Sequence, residues 1–403
     1  MLQECCSVNT NFGDDTFVGI RYENNKLEVK FPLGFALSTK DKEIRKDILL
    51  LLSVLMHNTE QKESKIPLGE ADKVEAVPPI QAYLYLLRDY FMRGYYKESN
   101  IEYTSDKKGK ISWSRTVKEK KPYVQGTDFF YLDFITRKSN LNENELISQI
   151  HQYCVYESFL RLGWLFSTSM PTKPSLKFNK KIFLMVINNK LHSTFKDSDK
   201  NLFLNMLAIV NDLDDQSSST SYRFGTNRFE YIWERMIDTV FGIKNKSDYF
   251  PKTYWNIAAK GGTTRTNAPL EPDTIMVHGR NVYVLDAKYY KYGYTGHAAD
   301  LPETASINKQ ITYGEYIYTN PLFKTRHGAD MEVYNAFLLP FDSHKWETEA
   351  LHYIGSAVSD WKKGRYQYET IKAVLVDVKY LMALAEQKNR SKIAELAQLL
   401  ENS

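Results

Sequence analysis

An apolar strand that ends in two charged residues constrains this chain more than any other feature. Residues 281–288 read Asn-Val-Tyr-Val-Leu-Asp-Ala-Lys, and the two charges are Asp286 and Lys288. Side chains of a strand alternate between its faces, so both charges share one face and Ala287 points to the other. A strand built only for packing has little reason to carry a carboxylate and an ammonium group there.

A second apolar segment precedes this strand and predicts a hairpin. Residues 274–277 and 282–287 flank the turn His-Gly-Arg-Asn at 278–281, and Asp273 follows Pro272 at the start of the first segment. Antiparallel pairing would bring Asp273 beside Asp286. An isolated Asp-x-Lys is weak evidence, but the preceding Pro-Asp in this position makes the combination informative.

Two carboxylates beside a lysine are the groups that metal-assisted hydrolysis of a phosphodiester requires. Hard divalent cations prefer carboxylate oxygens, and they generate hydroxide from water near neutral pH. We therefore predict that Asp273 and Asp286 are catalytic ligands of Mg²⁺, for which Mn²⁺ can substitute. The carbonyl of Ala287 is a predicted third ligand. Lys288 is predicted to orient the nucleophile or to stabilise the charge of the transition state.

A helix predicted over residues 227–241 supplies a further carboxylate. Glu230 and Glu234 are four residues apart, so both can face one site. We favour Glu234 as a catalytic residue and metal ligand and keep Glu230 as the alternative. Either side chain is equally consistent with a solvated flank of the apolar stripe on this helix.

Several residues after the hairpin are candidates for DNA contact. Lys309, Gln310 and Tyr313 lie on a predicted helix over residues 306–318, and Lys291 lies among tyrosines. Cations and aromatic rings bind phosphates and bases, so we predict that these four residues bind DNA. Residues of these types are equally expected on a surface that binds no ligand, or packed in the core.

The order of the predicted elements indicates two regions. The acidic and serine-rich segment at 212–221 reads as a linker, so we divide the chain into residues 1–215 and 222–403. We predict an α+β N-terminal region followed by an α/β restriction-endonuclease-like PD-(D/E)XK domain. The predicted elements are a hairpin at 16–34, helices at 41–58, 80–96 and 142–165, a loop at 60–75, a helix at 227–241, a strand at 255–258, the hairpin at 274–287, a helix at 306–318, strands at 333–339 and 373–376, and a terminal helix at 378–400.

Composition narrows the class of protein without defining it. The formal net charge of +4 permits an anionic partner but does not require one. Three cysteines are too few for a disulfide framework or a zinc site. The chain lacks a membrane-length apolar run, and its first residues do not resemble a leader. These features predict a soluble protein of the reducing cytoplasm that makes no membrane contact.

Six segments spread along most of the chain carry recognisable motifs. They are Val18-Gly19-Ile20, Phe31-Pro32-Leu33-Gly34, Gly109 to Thr116, Phe224-Gly225-Thr226 with Phe229 and Trp233-Glu234, the Pro-Asp and Asp-Ala-Lys pair, and Lys309-Gln310-x-x-Tyr313. Together they resemble the LlaJI family of restriction endonucleases, relatives of the McrC nuclease subunit. The catalytic motif is shared by many nucleases, whereas the N-terminal motifs are more specific to the family.

The resemblance implies a subunit of a restriction system that cuts foreign double-stranded DNA in anti-phage defence. Proteins of this kind work with an McrB-like AAA+ GTPase that recognises and translocates DNA, and a cognate methyltransferase is expected to be encoded nearby. This chain contains no G-x-x-x-x-G-K-[ST] segment, so GTP is expected to bind the partner. Residues 1–215 are the predicted partner-binding and DNA-contacting region, in which Lys110, Trp113 and Arg115 form a candidate interface.

Two other functions fit the same sequence. One is a non-enzymatic assembly module that stimulates an AAA+ GTPase, and the other is a stand-alone repair nuclease. A decayed nuclease domain would be expected to lose one of Asp273, Asp286 and Lys288, whereas all three are present. The sequence therefore favours the nuclease subunit.

Overall fold

The computed structural model describes two compact units of mixed α/β structure with several sheets. One unit comprises Met1–Val77 and Ser221–Ser403, and the other comprises Pro78–Thr220. None of the helices in the described part of the chain is long and apolar enough to span a membrane. The described residues are 2–13, 15–23, 26–60, 75–77, 79–105, 109–125, 128–142, 145–166, 169–213, 222–258, 263–362 and 364–403.

This division differs from the predicted one at residue 215. Residues 1–77 belong to the same compact unit as residues 221–403, because strands from both segments share one sheet. The predicted linker falls largely on residues 214–221, and the predicted loop at 60–75 falls largely on residues 61–74. Both of these segments lie outside the described residues.

The first segment of the larger unit contains the predicted hairpin and helix. Ile44, Ile48, Leu51, Leu52 and Leu55 are all buried, which confirms the apolar face of the predicted amphipathic helix. The elements are β1 (Cys6–Val8), β2 (Val18–Glu23), β3 (Lys26–Phe31), α1 (Asp41–Glu60) and β4 (Glu75–Val77).

The smaller unit combines helices with short strands. Its strands form a three-stranded sheet of order β5-β9-β6 and a separate hairpin of β7 and β8. Directly after β6, a short helix begins at Trp113. The elements are α2 (Ile80–Arg93), β5 (Glu98–Thr104), β6 (Lys110–Ile111), α3 (Trp113–Glu119), β7 (Tyr123–Gln125), β8 (Asp128–Phe130), β9 (Thr136–Asn142), α4 (Leu146–Leu162), α5 (Lys180–Ser193) and α6 (Asp197–Asp212).

The second segment of the larger unit contains its main sheet, of order β13-β14-β15-β17-β16. Strands β14, β15 and β17 are parallel, and the two outer strands are antiparallel to their neighbours. The elements are β10 (Tyr222–Thr226), α7 (Phe229–Phe241), β11 (Tyr254–Ile257), β12 (Thr263–Thr266), β13 (Thr274–His278), β14 (Asn281–Ala287), α8 (Tyr292–Thr295), α9 (Thr304–Thr319), α10 (Pro321–His327), β15 (Val333–Phe341), α11 (Ser343–Trp346), β16 (Leu351–Val358), β17 (Thr370–Asp377), α12 (Val378–Glu386) and α13 (Ile393–Asn402).

The central strands are buried on both faces, as the apolar sequence of β15 requires. Every residue of β15 is buried, which is typical of a parallel strand that is covered on both faces. Ile311 and Ile317 of α9 pack into the core beside this sheet, and Trp233 of α7 donates its indole N–H to the carbonyl of Leu338 in β15. The carboxyl ends of β14, β15 and β17 meet at one edge of the sheet, where Asp286 lies.

A pair of glycines joins the two segments of the larger unit. Gly19 of β2 lies opposite Gly225 of β10 in a second sheet, of order β1-β3-β2-β10-β4. A Cβ atom on Gly19 would lie 2.2 Å from the carbonyl oxygen of Phe224, and one on Gly225 would lie 2.3 Å from that of Val18. Only glycine permits this close approach of the two backbones.

Three details of the predicted element order were wrong. Residues 254–257 pair with β12 in a separate hairpin and do not join the main sheet. The terminal helix is divided into α12 and α13, and Lys388 between them has a positive φ. Strand β16 was missed because its alternation is interrupted by a bulge between Tyr353 and Gly355.

Candidate metal centre

The β13–β14 hairpin brings the first candidate carboxylate to the carboxyl end of β14. Asp273 immediately precedes β13, and its Oδ2 accepts a hydrogen bond of 2.9 Å from the backbone N–H of Ala287. This bond fixes the Asp273 side chain across from the end of β14. Ala287 itself is buried, as its position on the core face predicts.

Asp286 and Lys288 lie together at the same end of β14. The Nζ atom of Lys288 is 2.8 Å from Oδ2 of Asp286, and their side chains are 20% and 8% exposed. The backbone N–H of Lys288 donates to the carbonyl of Leu338 at 2.9 Å, which extends the parallel pairing with β15 beyond β14. The two charged groups are therefore held at the sheet edge and largely shielded from solvent.

Several ionisable groups at this edge of the sheet have raised pKa values. Burial raises the pKa of Asp273 to about 8, and the neighbouring Asp286 and Glu234 carboxylates contribute to this rise. Burial and Asp286 also raise the pKa of Glu234. Burial lowers the pKa of Lys288, but its contact with Asp286 outweighs that effect and the net shift is upward. Three acidic groups thus lie close enough to influence one another, and Lys288 beside Asp286 keeps its proton.

The two candidate glutamates of α7 have different surroundings. Glu230 forms an ion pair with Arg228, in which Arg228 Nε is 3.1 Å from Glu230 Oε1, and its side chain is 41% exposed. Glu234 lies in a groove with Asp273 and is partly buried. The geometry therefore favours Glu234 over Glu230 as the helix carboxylate of this site.

A groove of about 330 Å³ runs along one side of the site. Lys246 lines it, bonds through Nζ to the carbonyl of Asp273, and contacts Asp238 Oδ1 at 2.9 Å. The sequence reasoning missed Lys246, because no local pattern relates it to a residue 27 positions later. The lining residues are Tyr231, Glu234, Arg235, Asp238, Lys246, Phe250, Glu271, Pro272 and Asp273, and they do not include Asp286 or Lys288.

The carboxylate oxygens of this site are suitable ligands for a hard divalent cation, although the side chains do not converge on one point. Within the described ranges, no three His, Cys, Asp or Glu side chains converge closely enough to form a metal-binding group. However, burial raises the pKa of Asp273, the neighbouring Asp286 and Glu234 carboxylates add to this rise, and a bound cation would favour the charged form of all three groups. Oxygen ligands of this kind suit Mg²⁺ or Mn²⁺.

The three residues of α9 that were predicted to bind DNA differ in burial and in their contacts. Gln310 is buried, and its amide donates to the carbonyl of Val284 at 2.7 Å, so it braces the sheet, and its role in DNA binding stays a prediction. Tyr313 is also buried; its hydroxyl donates to the carbonyl of Glu271 at 3.1 Å, and burial with Asp273 and Asp286 nearby raises its pKa. Lys309 is exposed, with its Nζ 5.6 Å from the Tyr313 ring centre.

Lys291, the fourth predicted DNA-binding residue, lies just before α8 and not on α9. Its Nζ is 4.0 Å from the ring centre of Phe12, so the cation covers an aromatic ring of the N-terminal segment. Tyr289, directly after Lys288, accepts a hydrogen bond of 2.6 Å from the N–H of Leu33. The segment after Lys288 therefore packs against residues from the start of the chain, and a role of Lys291 in DNA binding stays a prediction.

The candidate partner interface lies in the smaller unit. Trp113 is 56% exposed, and the guanidinium carbon of Arg115 lies 3.9 Å from the ring centre of Tyr103. Lys110 is exposed in β6. The neighbouring Lys107 and Lys108 lie outside the described residues. An exposed tryptophan beside an arginine is typical of an interface hot spot.

Comparisons with known proteins agree with the motifs. The family model for the LlaJI restriction endonuclease matches residues 17–379. The type II restriction enzyme BsuMI component YdjA of Bacillus subtilis (strain 168) is 28% identical over 268 residues, which are 61% of this chain and 55% of that protein. The chain thus spans just over half the length of this relative.

A solved assembly of Thermococcus gammatolerans McrB AAA+ hexamers with bound McrC is also similar. The match covers 94% of this chain and 83% of that chain, with 16% sequence identity and a TM-score of 0.35.

Proposed function

The chain belongs to the LlaJI family of restriction endonucleases, and from that premise we propose that Asp273, Asp286 and Lys288 form a PD-(D/E)XK centre. This centre hydrolyses phosphodiester bonds of foreign double-stranded DNA with Mg²⁺. The observation that carries the proposal is that two carboxylates and a lysine meet at the carboxyl end of a buried parallel strand.

The main sheet supports this assignment. An antiparallel hairpin leads into parallel strands, with a helix before the hairpin and another helix between β14 and β15. This is the element order expected of a restriction-endonuclease-like core. Loops and helix ends at the carboxyl edge of parallel strands are where α/β proteins place their reactive groups.

Each side chain has a role that follows from its surroundings. Asp273 and Asp286, with Glu234 and the carbonyl of Ala287, would hold Mg²⁺ or Mn²⁺. When bound, the cation supplies charge neutralisation on the phosphate and acidifies a water molecule. Lys288 keeps its proton, because Asp286 raises its pKa, and so it can donate hydrogen bonds to the attacking water or to the phosphate. Asp273 must lose its own proton before it can coordinate, which makes cation affinity increase with pH.

The variant Asp286→Ala tests the proposal. Cleavage of plasmid DNA, assayed with Mg²⁺, GTP and the partner GTPase, should fall at least about hundredfold, because one ligand of the cation is lost. Asp330→Ala is the matched control, since Asp330 is an exposed carboxylate that pairs with Arg280 at the opposite end of the hairpin. Circular dichroism should be unchanged in both variants. Cleavage near the wild-type rate in Asp286→Ala would refute the assignment.

We further propose that a separate AAA+ GTPase of the McrB type binds GTP and activates this chain. The support is the resemblance to McrC-like proteins and the lack of a phosphate-binding loop in this sequence. The exposed Lys110, Trp113 and Arg115 offer that partner a surface in the smaller unit. Arg115→Ala should lower the stimulated GTP turnover without changing metal binding at Asp286. Unchanged stimulation would leave Arg115 without a role. A cognate methyltransferase encoded nearby stays a prediction.

A further inference from the structure

A two-stranded ribbon projects from the larger unit beside the metal centre. Its strands are β11 and β12, paired from Tyr254 opposite Thr266 to Ile257 opposite Thr263. Tyr254 and Trp255 are adjacent in sequence and so point to opposite faces, yet they are 66% and 63% exposed. Neither face of the ribbon is therefore packed on the protein, although both carry large aromatic side chains.

The base of the ribbon forms the rim of the groove at the metal centre. Phe250 precedes the ribbon in the chain and Glu271 follows it, and both line the groove together with Asp273. Leu270 donates its N–H to the carbonyl of Pro251, and Asn267 donates to that of Thr253, each at 2.9 Å. Pairing thus continues from the groove rim to Ile257, so the ribbon reaches about 20 Å from the groove.

The ribbon is basic. Residues 251–270 contain Lys252, Lys260 and Arg265 but no Asp or Glu, and the next carboxylate is Glu271 at the groove. The whole chain carries 53 basic and 49 acidic residues, so this lack of acidic residues is a local feature. Lys260 lies outside the described residues, whereas Arg265 is exposed directly opposite Trp255. Cations and aromatic rings without carboxylates favour a polyanionic partner.

We propose that this ribbon binds duplex DNA and holds it against the metal centre. The inference rests on the proposed nuclease function, which it extends from the reacting phosphate to the neighbouring base pairs. A major groove about 12 Å wide admits a two-stranded ribbon. Arg265 contacts a backbone phosphate, and Trp255 packs against sugar or base. Asn256, Thr264 and Thr266 offer exposed hydrogen-bonding groups along the same strands.

The test measures DNA binding separately from cleavage. The full chain, in Ca²⁺, is titrated into a fluorescent duplex of about 30 base pairs at salt concentrations from about 50 to 200 mM, and anisotropy is recorded. Trp255→Ala should weaken binding about tenfold. Arg265→Ala should lower the slope of log affinity against log salt by about 0.9, the value for one phosphate contact. Both sites are solvent-exposed, so the fold should be preserved.

Two exposed residues of the same kind provide matched controls. Arg280 lies in the β13–β14 turn, and Trp361 follows β16 near the start of β17, so both belong to the edge of the main sheet opposite Asp286. Arg280 is 68% exposed as a side chain, and Trp361 is 62% exposed. Arg280→Ala and Trp361→Ala should bind the duplex as the wild type does.

The outcomes separate this inference from the proposed function. Wild-type affinity in the ribbon variants, or no salt-dependent binding by the wild type at about 50 mM salt, would overturn the inference. A change in sedimentation of the ribbon variants without a change in DNA binding would instead identify a protein interface. If Asp286→Ala still cleaves DNA while Trp255→Ala loses binding, the metal-centre assignment fails and the ribbon inference stands.

Discussion

Replacing Asp273 by asparagine should stabilise the protein when metal is absent. Burial and two neighbouring carboxylates raise the pKa of Asp273 from 3.8 to about 8. An unfolded chain releases this proton near pH 4, whereas the folded chain keeps it until about pH 8. The unfolded state therefore binds fewer protons between these values, and rising pH lowers the free energy of unfolding across that window.

The size of the effect follows from the same surroundings. A pKa raised from 3.8 to about 8 sets an upper limit of about 6 kcal/mol on the cost of ionising this carboxyl in the folded protein. The Asp273 side chain is partly exposed, so solvent screening places this cost between about 2 kcal/mol and that limit. Asparagine keeps an oxygen that can accept the 2.9 Å bond from Ala287 and removes only the charge. Asp273→Asn should thus gain at least about 2 kcal/mol at pH 8.

Urea denaturation in EDTA measures this gain at about pH 8 and again at about pH 5.5, where it should shrink because the folded wild type then stays protonated. Asp330→Asn is the control, since Asp330 is fully exposed and its own backbone and Arg280 lower its pKa, which gives no gain from loss of charge. Added Mg²⁺ should reverse the order, because binding stabilises only the wild type. A variant that is less stable than wild type at pH 8 in EDTA, or a gain that does not depend on pH, would refute the reasoning.

Three further predictions concern the roles of individual parts. Lys288→Ala should lose cleavage at least about hundredfold yet bind Mn²⁺ in calorimetry as the wild type does; loss of metal binding would mean that its role is wrongly assigned. Glu234→Gln should weaken Mn²⁺ binding more than Glu230→Gln, because Glu230 is paired with Arg228 at the surface, and equal effects would contradict the choice between them. Replacement of residues 78–220 by a short glycine-serine linker should preserve Mn²⁺ binding and abolish stimulation of the GTPase partner. If metal binding is lost, the larger unit is not independent of the smaller one.

The placement of Asp273, Asp286 and Lys288 at one end of β14 was predictable because its signals are local. Alternation along β14 and the charges at its end lie within eight residues, and the pairing of β13 with β14 spans a short turn. The hydrogen bond made by Gln310 was not predictable. A polar residue on a helix looks the same in sequence whether it faces solvent or donates, as here, to Val284 on a strand 26 residues earlier. The contact between Lys246 and the carbonyl of Asp273 was missed because the two residues are 27 positions apart in the sequence.

The pairing of strands that are far apart in the sequence could not be predicted for the N-terminal region. Val18-Gly19-Ile20 and Phe224-Gly225-Thr226 both matched family motifs, yet the sequence does not reveal that they are opposite one another in a sheet. Gly34, in a third motif, approaches the backbone of Phe341, where a Cβ would lie 2.9 Å from the Phe341 Cα atom. These glycines are explained by backbone contacts between distant segments, which no local pattern contains.

The arrangement of strands changes how the chain should be divided for experiment. Val77 of β4 pairs with Arg223 of β10, so the chain leaves the larger unit and returns to it on neighbouring strands. Residues 78–220 are therefore an insertion whose ends are separated by one strand spacing, which a short linker can span. A fragment of residues 1–215 would instead keep β2 but lose β10, leaving an unpaired strand edge in a sheet that normally continues. The division at residue 215 thus cuts through a folding unit, whereas removal of the insertion leaves every sheet of the larger unit with all its strands.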